Sequence, residues 1–99
     1  MVPLMILSIH EAKQQLAEKS KSLRLLKKWK RSTLAKRSGV TESSLRRFEQ
    51  SGNISLENLL KIMNALGRLD EINSLLKLPI ADSIDDLKNN IKIPKRGVL

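Results

Sequence analysis

The sequence predicts an all-α fold of five short helices, and three observations carry that expectation. Apolar residues recur at helical spacing from Ser8 to Pro79, with no useful length of strand-type alternation. Ser8, Thr41 and Ser55 stand where helices would start, and Gly39, Gly52 and Gly67 where they would end. Residues 31–50, RSTLAKRSGVTESSLRRFEQ, space a small residue, a glycine and two large apolar residues as two helices crossing at a tight turn require.

The elements follow in order. Helix one is expected from about Ile9 to Lys28: Ser8 and Glu11 form a capping box, and Ala12, Leu16, Leu23 and Leu26 make its stripe. Lys27 and Lys28 in its last turn suit the negative end of the helix dipole. Trp29 is placed to close the next helix onto the core. Helix two should run from Arg31 to Ser38, with Ala35 at the closest helix crossing and Gly39 taking the positive φ of the turn. Thr41 caps helix three, Glu42 to about Gln50, whose Leu45 and Phe48 face inward, with Val40 stapled onto Leu45. Helix four repeats this grammar: Ser55 as cap, Ile54 and Leu59 as staple, a stripe of Leu56, Leu59, Leu60, Met63 and Leu66, and Gly67 as terminator. A fifth helix begins at Asp70 and should bury Ile72, Leu75 and Leu76 before Pro79. The organisation expected is an N-terminal extension (1–8), a helical domain (9–78) and a partly disordered basic tail (79–99), in which SIDDL (83–87) could form one turn.

Composition narrows the function. Ninety-nine residues suit one small domain, and a core of about 70 residues is marginal alone, so a homodimer is expected. No stretch approaches the ~20 apolar residues of a membrane helix, and MVPLMIL is too short for a secretory signal. Without cysteine there is no disulfide or thiolate metal site, and the expected home is a reducing cytoplasm. His10 is the only histidine and has no cluster of ligands around it, so no metal is implied. No Ser-His-Asp set, phosphate-cradling glycine loop or catalytic carboxylate pair can be assembled, so neither an enzyme nor a cofactor is expected. The net charge of +9 is concentrated: residues 19–47 hold eleven Lys and Arg against one acid, Glu42. That block coincides with the two crossing helices, where contacts to nucleic-acid phosphates would be made.

In such a pair the second helix enters the major groove of DNA. Its outward residues, expected to reach base edges, are Thr41, Glu42, Ser43, Ser44, Arg46 and Arg47. Arg47, one turn beyond Ser43, would place its fork on guanine O6 and N7. Glu42 has two readings, an acceptor for cytosine N4 or a first-turn acid that orients Arg46. Helix two breaks a local rule, because Lys30 and Arg31 sit at its positive end without an ordinary cap. A bound phosphate would resolve that conflict, joined by Thr33 and by Lys36 or Arg37. In the alternative reading, Lys30 and Arg31 merely cap the C-terminus of helix one.

Residues 23–76 resemble the Cro/cI-type, or XRE-like, helix-turn-helix family, through LAKRSGVTESSLRRFEQSG (34–52) and ISLENLLKIMNALG (54–67). The resemblance implies a five-helix, lambda-repressor-like DNA-binding domain on double-stranded operator DNA. Within the family, SGNISLENLLKIMNALGRLDEINSLLKLP (51–79) and the basic ending IKIPKRGVL (91–99) are similar to HipB-like antitoxins. That likeness implies a HipA-type kinase toxin as partner and repression of a shared operon. A free-standing phage-type repressor, or an interaction module with secondary DNA binding, are the alternatives. Lys30 and Arg31 depart from the Ser and Gln usual in the family at these places.

Overall fold

The computed structural model describes residues 6–79 and 93–97. Among them, four α-helices and a 3-10 segment follow in order, with no strand. They are α1 (Ile9–Leu26), α2 (Arg31–Ser38), α3 (Glu42–Ser51), α4 (Leu56–Ala65) and the 3-10 segment Leu69–Ser74. The chain divides between Leu69 and Asp70 into two compact units. No helix among the described residues is long and apolar enough to cross a membrane.

The starts of α1, α3 and α4 are closed by side chains as expected. Ser8 Oγ accepts from Glu11 N while Glu11 accepts from Ser8 N, completing the capping box. Thr41 and Ser55 accept from Ser44 N and Asn58 N. Helix α1 stops two residues earlier than the sequence suggested, with Lys27 as its C-cap and Lys28 in left-handed backbone at φ 60.

In the N-terminal unit α3 packs against both α1 and α2, and α2 also packs on α4. Phe48, Leu34, Leu45 and Ile62 are the largest fully buried side chains, joined by Ala17, Ala35, Val40 and Leu66. Burying each of the four large ones contributes roughly 1.5–3 kcal/mol. Leu23, Trp29, Ile54, Leu59 and Ala65 pack partly against this cluster.

Three expectations about burial are overturned in whole or in part, although Leu23, Leu59 and Leu66 face the core as expected. The inward face of α1 holds Ala17, Ser20 and Arg24, whereas Leu16 is exposed and Leu26 is 79% exposed. Small and polar residues win there because α3 comes close to α1 and offers it a carboxylate, described below. On α4 the deepest residue is Ile62, absent from the expected stripe, while first-turn Leu56 is 70% exposed. The inward row of α4 therefore runs from partly buried Leu59 through Ile62 to the buried C-cap residue Leu66. The fifth element is six residues of 3-10 helix with no buried side chain, so Ile72, Leu75 and Leu76 are not core. A 3-10 turn eclipses side chains three apart and rarely runs long, and Leu76 at φ 52 leaves the helical region. The SIDDL turn lies outside the described residues.

Candidate nucleic-acid interface

The turn between α2 and α3 is built from its sequence as expected. Ala35 of α2 is buried in one core cluster with Leu45 and Phe48 of α3. Gly39 takes φ +80 with open space around its missing Cβ, so the backbone angle alone demands glycine. Its N–H donates to Ala35 O at 2.9 Å. Ser38 Oγ stitches the same turn, donating to Ala35 O and accepting from Val40 N, both at 3.2 Å. Val40 is buried in front of the cap, in the same cluster as Leu45 and Phe48.

This leaves one side of α3 facing water. Thr41, Glu42, Ser43, Arg46 and Arg47 are exposed and Ser44 is half-buried, so all six expected base-reading residues lie on or beside one surface. Thr41 has a structural task first. Its hydroxyl accepts from Ser44 N at 3.1 Å and donates to Ser44 Oγ at 2.8 Å. Glu42 lies 3.7 Å from Arg46 across one turn, the geometry of its orienting role. Arg47 and Ser44 line a groove of about 280 Å³ with Asn53, Ile54, Ser55 and Asn58, beside the start of α4.

Helix α1 meets the end of α3 and the loop that lines this groove. Gly52, at φ +79, ends α3 so close to α1 that a Cβ would fall 2.8 Å from Lys13 Cβ and 2.9 Å from its carbonyl carbon. Glycine is required there twice, by backbone angle and by space. Lys13 Nζ then donates to Asn53 Oδ1, a contact between α1 and the loop that lines the groove.

The start of α2 is open, as the sequence implied. Lys30 is its N-cap in extended backbone (φ −72, ψ 162) and makes no side-chain cap bond. Lys30, Lys36 and Arg37 are exposed, while Arg31 and Thr33 are half-buried. Arg37 and Lys27 both lie over the Trp29 ring, 4.6 and 5.2 Å from its centroid, within cation–π range. Trp29 is thus partly core, as expected, and also a platform for two cations.

Arg31 is held by a buried network that the sequence did not announce. Its Nε donates to Glu49 Oε1 at 2.8 Å. Arg24 grips the same carboxylate with two bonds, Nε to Oε2 at 2.8 Å and Nη2 to Oε1 at 3.1 Å. Arg24 Nη1 also donates to Trp29 O at 2.8 Å, pinning the loop that leads into α2. The Glu49 side chain is 1% exposed and that of Arg31 34%. Burial pushes the Glu49 carboxyl up, but hydrogen bonds from Arg24 and Arg31, aided by their charges, outweigh burial and hold it below its ordinary 4.5. Arg24, counted in the basic block, is therefore an interior residue. The signal that could have shown this is Glu49 itself, one of two acids between Lys19 and Ser51 and next to the inward Phe48. Asn53, in the loop before α4, and Asn58, in the first turn of α4, were also missed, because isolated polar residues carry no periodic signal.

These elements agree with the comparison to known families. The helix-turn-helix family model HTH_3 matches residues 21–72, more than half of the chain. No curated protein and no solved structure matches at a significant level. The matched span runs from the last turns of α1 through α4, covering the buried turn, the exposed face of α3 and the open start of α2. With that match over the very residues that build this surface, the chain belongs to the helix-turn-helix family of DNA-binding transcription regulators, of the Cro/cI (XRE-like) type.

Proposed function

We propose that this chain is a sequence-specific repressor that binds double-stranded operator DNA as a homodimer, by binding alone and without catalysis, metal or cofactor. The observation that carries this reading is the pairing of an exposed α3 face, bearing Arg46 and Arg47, with an α2 start that no side chain of its own caps. In this reading Thr41, Glu42, Ser43, Ser44, Arg46 and Arg47 meet base edges. Lys30, Arg31, Thr33, Lys36 and Arg37 meet phosphates, whose oxygens accept the free N–H groups of α2. The homodimer is supported by the apolar side chains Leu69, Ile72, Leu75, Leu76 and Leu78, all exposed in a single chain.

The finer reading is that of a HipB-like antitoxin, which binds a HipA-type kinase toxin and represses the operon encoding both, in the cytoplasm. It rests on the resemblance of residues 51–79 and of the ending 91–99. A HipA-like kinase gene beside this one supports it, and phage genes there favour the free-standing repressor. The experiment is to footprint the purified protein on its own promoter, with and without the neighbouring gene product. Protection of two half-sites about one helical turn apart is expected. A single asymmetric site bound by one monomer in sedimentation overturns the dimeric repressor.

A further inference from the structure

We propose that Glu49 is a positioning residue for DNA binding: it holds Arg31 as a two-sided fork, one edge bound inside the protein and the other presented to a backbone phosphate. This rests on the DNA-binding reading above and adds to it the residue that orients the phosphate contact. A guanidinium is a rigid plane with five N–H donors, so fixing one edge fixes the direction of the other. Here the Nε edge is fixed by Glu49 Oε1 at 2.8 Å. The carboxylate itself has little freedom, being almost fully buried and gripped on both oxygens by Arg24, which is tied in turn to the Trp29 carbonyl.

Charge balance points the same way. Two arginines share one carboxylate, so the cluster keeps a net positive charge instead of cancelling. The member nearer to solvent is Arg31, the first residue of α2. If Arg31 served only to neutralise buried Glu49, nothing would require that it stand at a helix start already short of a cap. As a fork it does both jobs, and its side-chain ordering is completed during folding instead of on DNA.

The test uses the full-length protein and a random-sequence DNA duplex at low salt, which reads phosphate contacts without knowledge of the operator. Affinity is followed by fluorescence anisotropy over a salt series, and folding by circular dichroism melts. Glu49→Gln removes a negative charge, so simple electrostatics would tighten binding. Positioning demands the opposite, a loss on the order of tenfold. Glu18→Gln, on the exposed face of α1, is the charge control and should not weaken binding. Should Glu49→Gln unfold, Arg31→Lys decides: an ammonium keeps the charge but lacks the rigid plane that aims one edge when the other is bound, so affinity should fall severalfold with the melt preserved. Arg31→Met should also lower the slope of log affinity against log salt by about 0.9. A wild-type protein that fails to bind the duplex overturns the DNA reading itself. Wild-type binding matched by folded Glu49→Gln or Arg31→Lys overturns the positioning role alone.

Discussion

Helices α2 and α3 are both short, both entered from extended backbone and both closed by a left-handed glycine, yet they begin in opposite ways. Thr41 closes the first turn of α3 from within, and Glu42 adds an acid at its positive end. At α2 the cap position is Lys30, the first residue is Arg31, and the first turn holds no acid. The better-capped helix is complete without a partner, which leaves its outward side chains exposed. The open one keeps an electrostatic conflict that an anion relieves. Local stability has been given up at α2 and kept at α3, the division expected if α2 meets phosphates and α3 reads bases as proposed.

Four sets of substitutions break or sharpen this contrast, and the largest effect lies behind α2. Arg24→Met should destabilise the fold by roughly 3–5 kcal/mol, because it leaves buried Glu49 with only the half-exposed Arg31. Chemical denaturation measures this, and a loss under 1 kcal/mol, about a surface pair's worth, would deny the network its role. The same network sets an acid limb. Since the folded pKa of Glu49 is lowered, its contribution to stability is full above 4.5 and is lost as pH falls through the lower folded value. Glu49→Gln should flatten stability in that window below 4.5.

Arg47→Ala comes next, at roughly 1–3 kcal/mol of binding with relaxed preference at one base pair, whereas Arg31→Ala should weaken all sequences alike. Binding selections on a degenerate duplex separate the two. A changed sequence preference for Arg31→Ala with none for Arg47→Ala would invert the assignment of the two helices.

The third prediction swaps the helix starts. Lys30→Ser should stabilise the protein by about 1 kcal/mol while weakening DNA binding, and Thr41→Ala should cost about 1 kcal/mol of stability. Melts and binding measured on the same samples check the signs. A Lys30→Ser chain that gains both stability and affinity would show that the open start has no use.

The smallest effect belongs to the α1 face. Ser20 Oγ is buried without a hydrogen-bond partner, so Ser20→Ala should raise stability by about 0.5–1 kcal/mol. A destabilised variant would mean that the hydroxyl is satisfied in solution.

Much of this was legible in the sequence, for local reasons. Caps, glycine turns and the Ala35, Gly39, Leu45 and Phe48 register depend on near neighbours, and the structure has them where the residues implied. The exposed row of α3 was legible too, because Leu45 and Phe48 fix which face turns inward. Failures came where distant partners decide. Arg24 reads as one more cation until Glu49, 25 residues on, is brought beside it. The α1 stripe through Leu16 and Leu26 was drawn by hydrophobicity, yet the closeness of α3 selects Ala17 and Ser20 instead. Leucines at helical spacing also suggested a buried fifth helix, but spacing alone does not supply a surface to pack on.

The chain has one tryptophan and no tyrosine, so its near-ultraviolet light is absorbed and emitted almost wholly by Trp29. That residue lies in the link between α1 and α2, with its backbone carbonyl accepting from Arg24 and its indole ring beneath Lys27 and Arg37. Cations so near the ring perturb its excited state, and any event that draws Arg37 or Lys27 toward a phosphate alters that perturbation. The molecule therefore carries a built-in optical gauge at the joint between α1 and α2, readable on the unlabelled protein in real time.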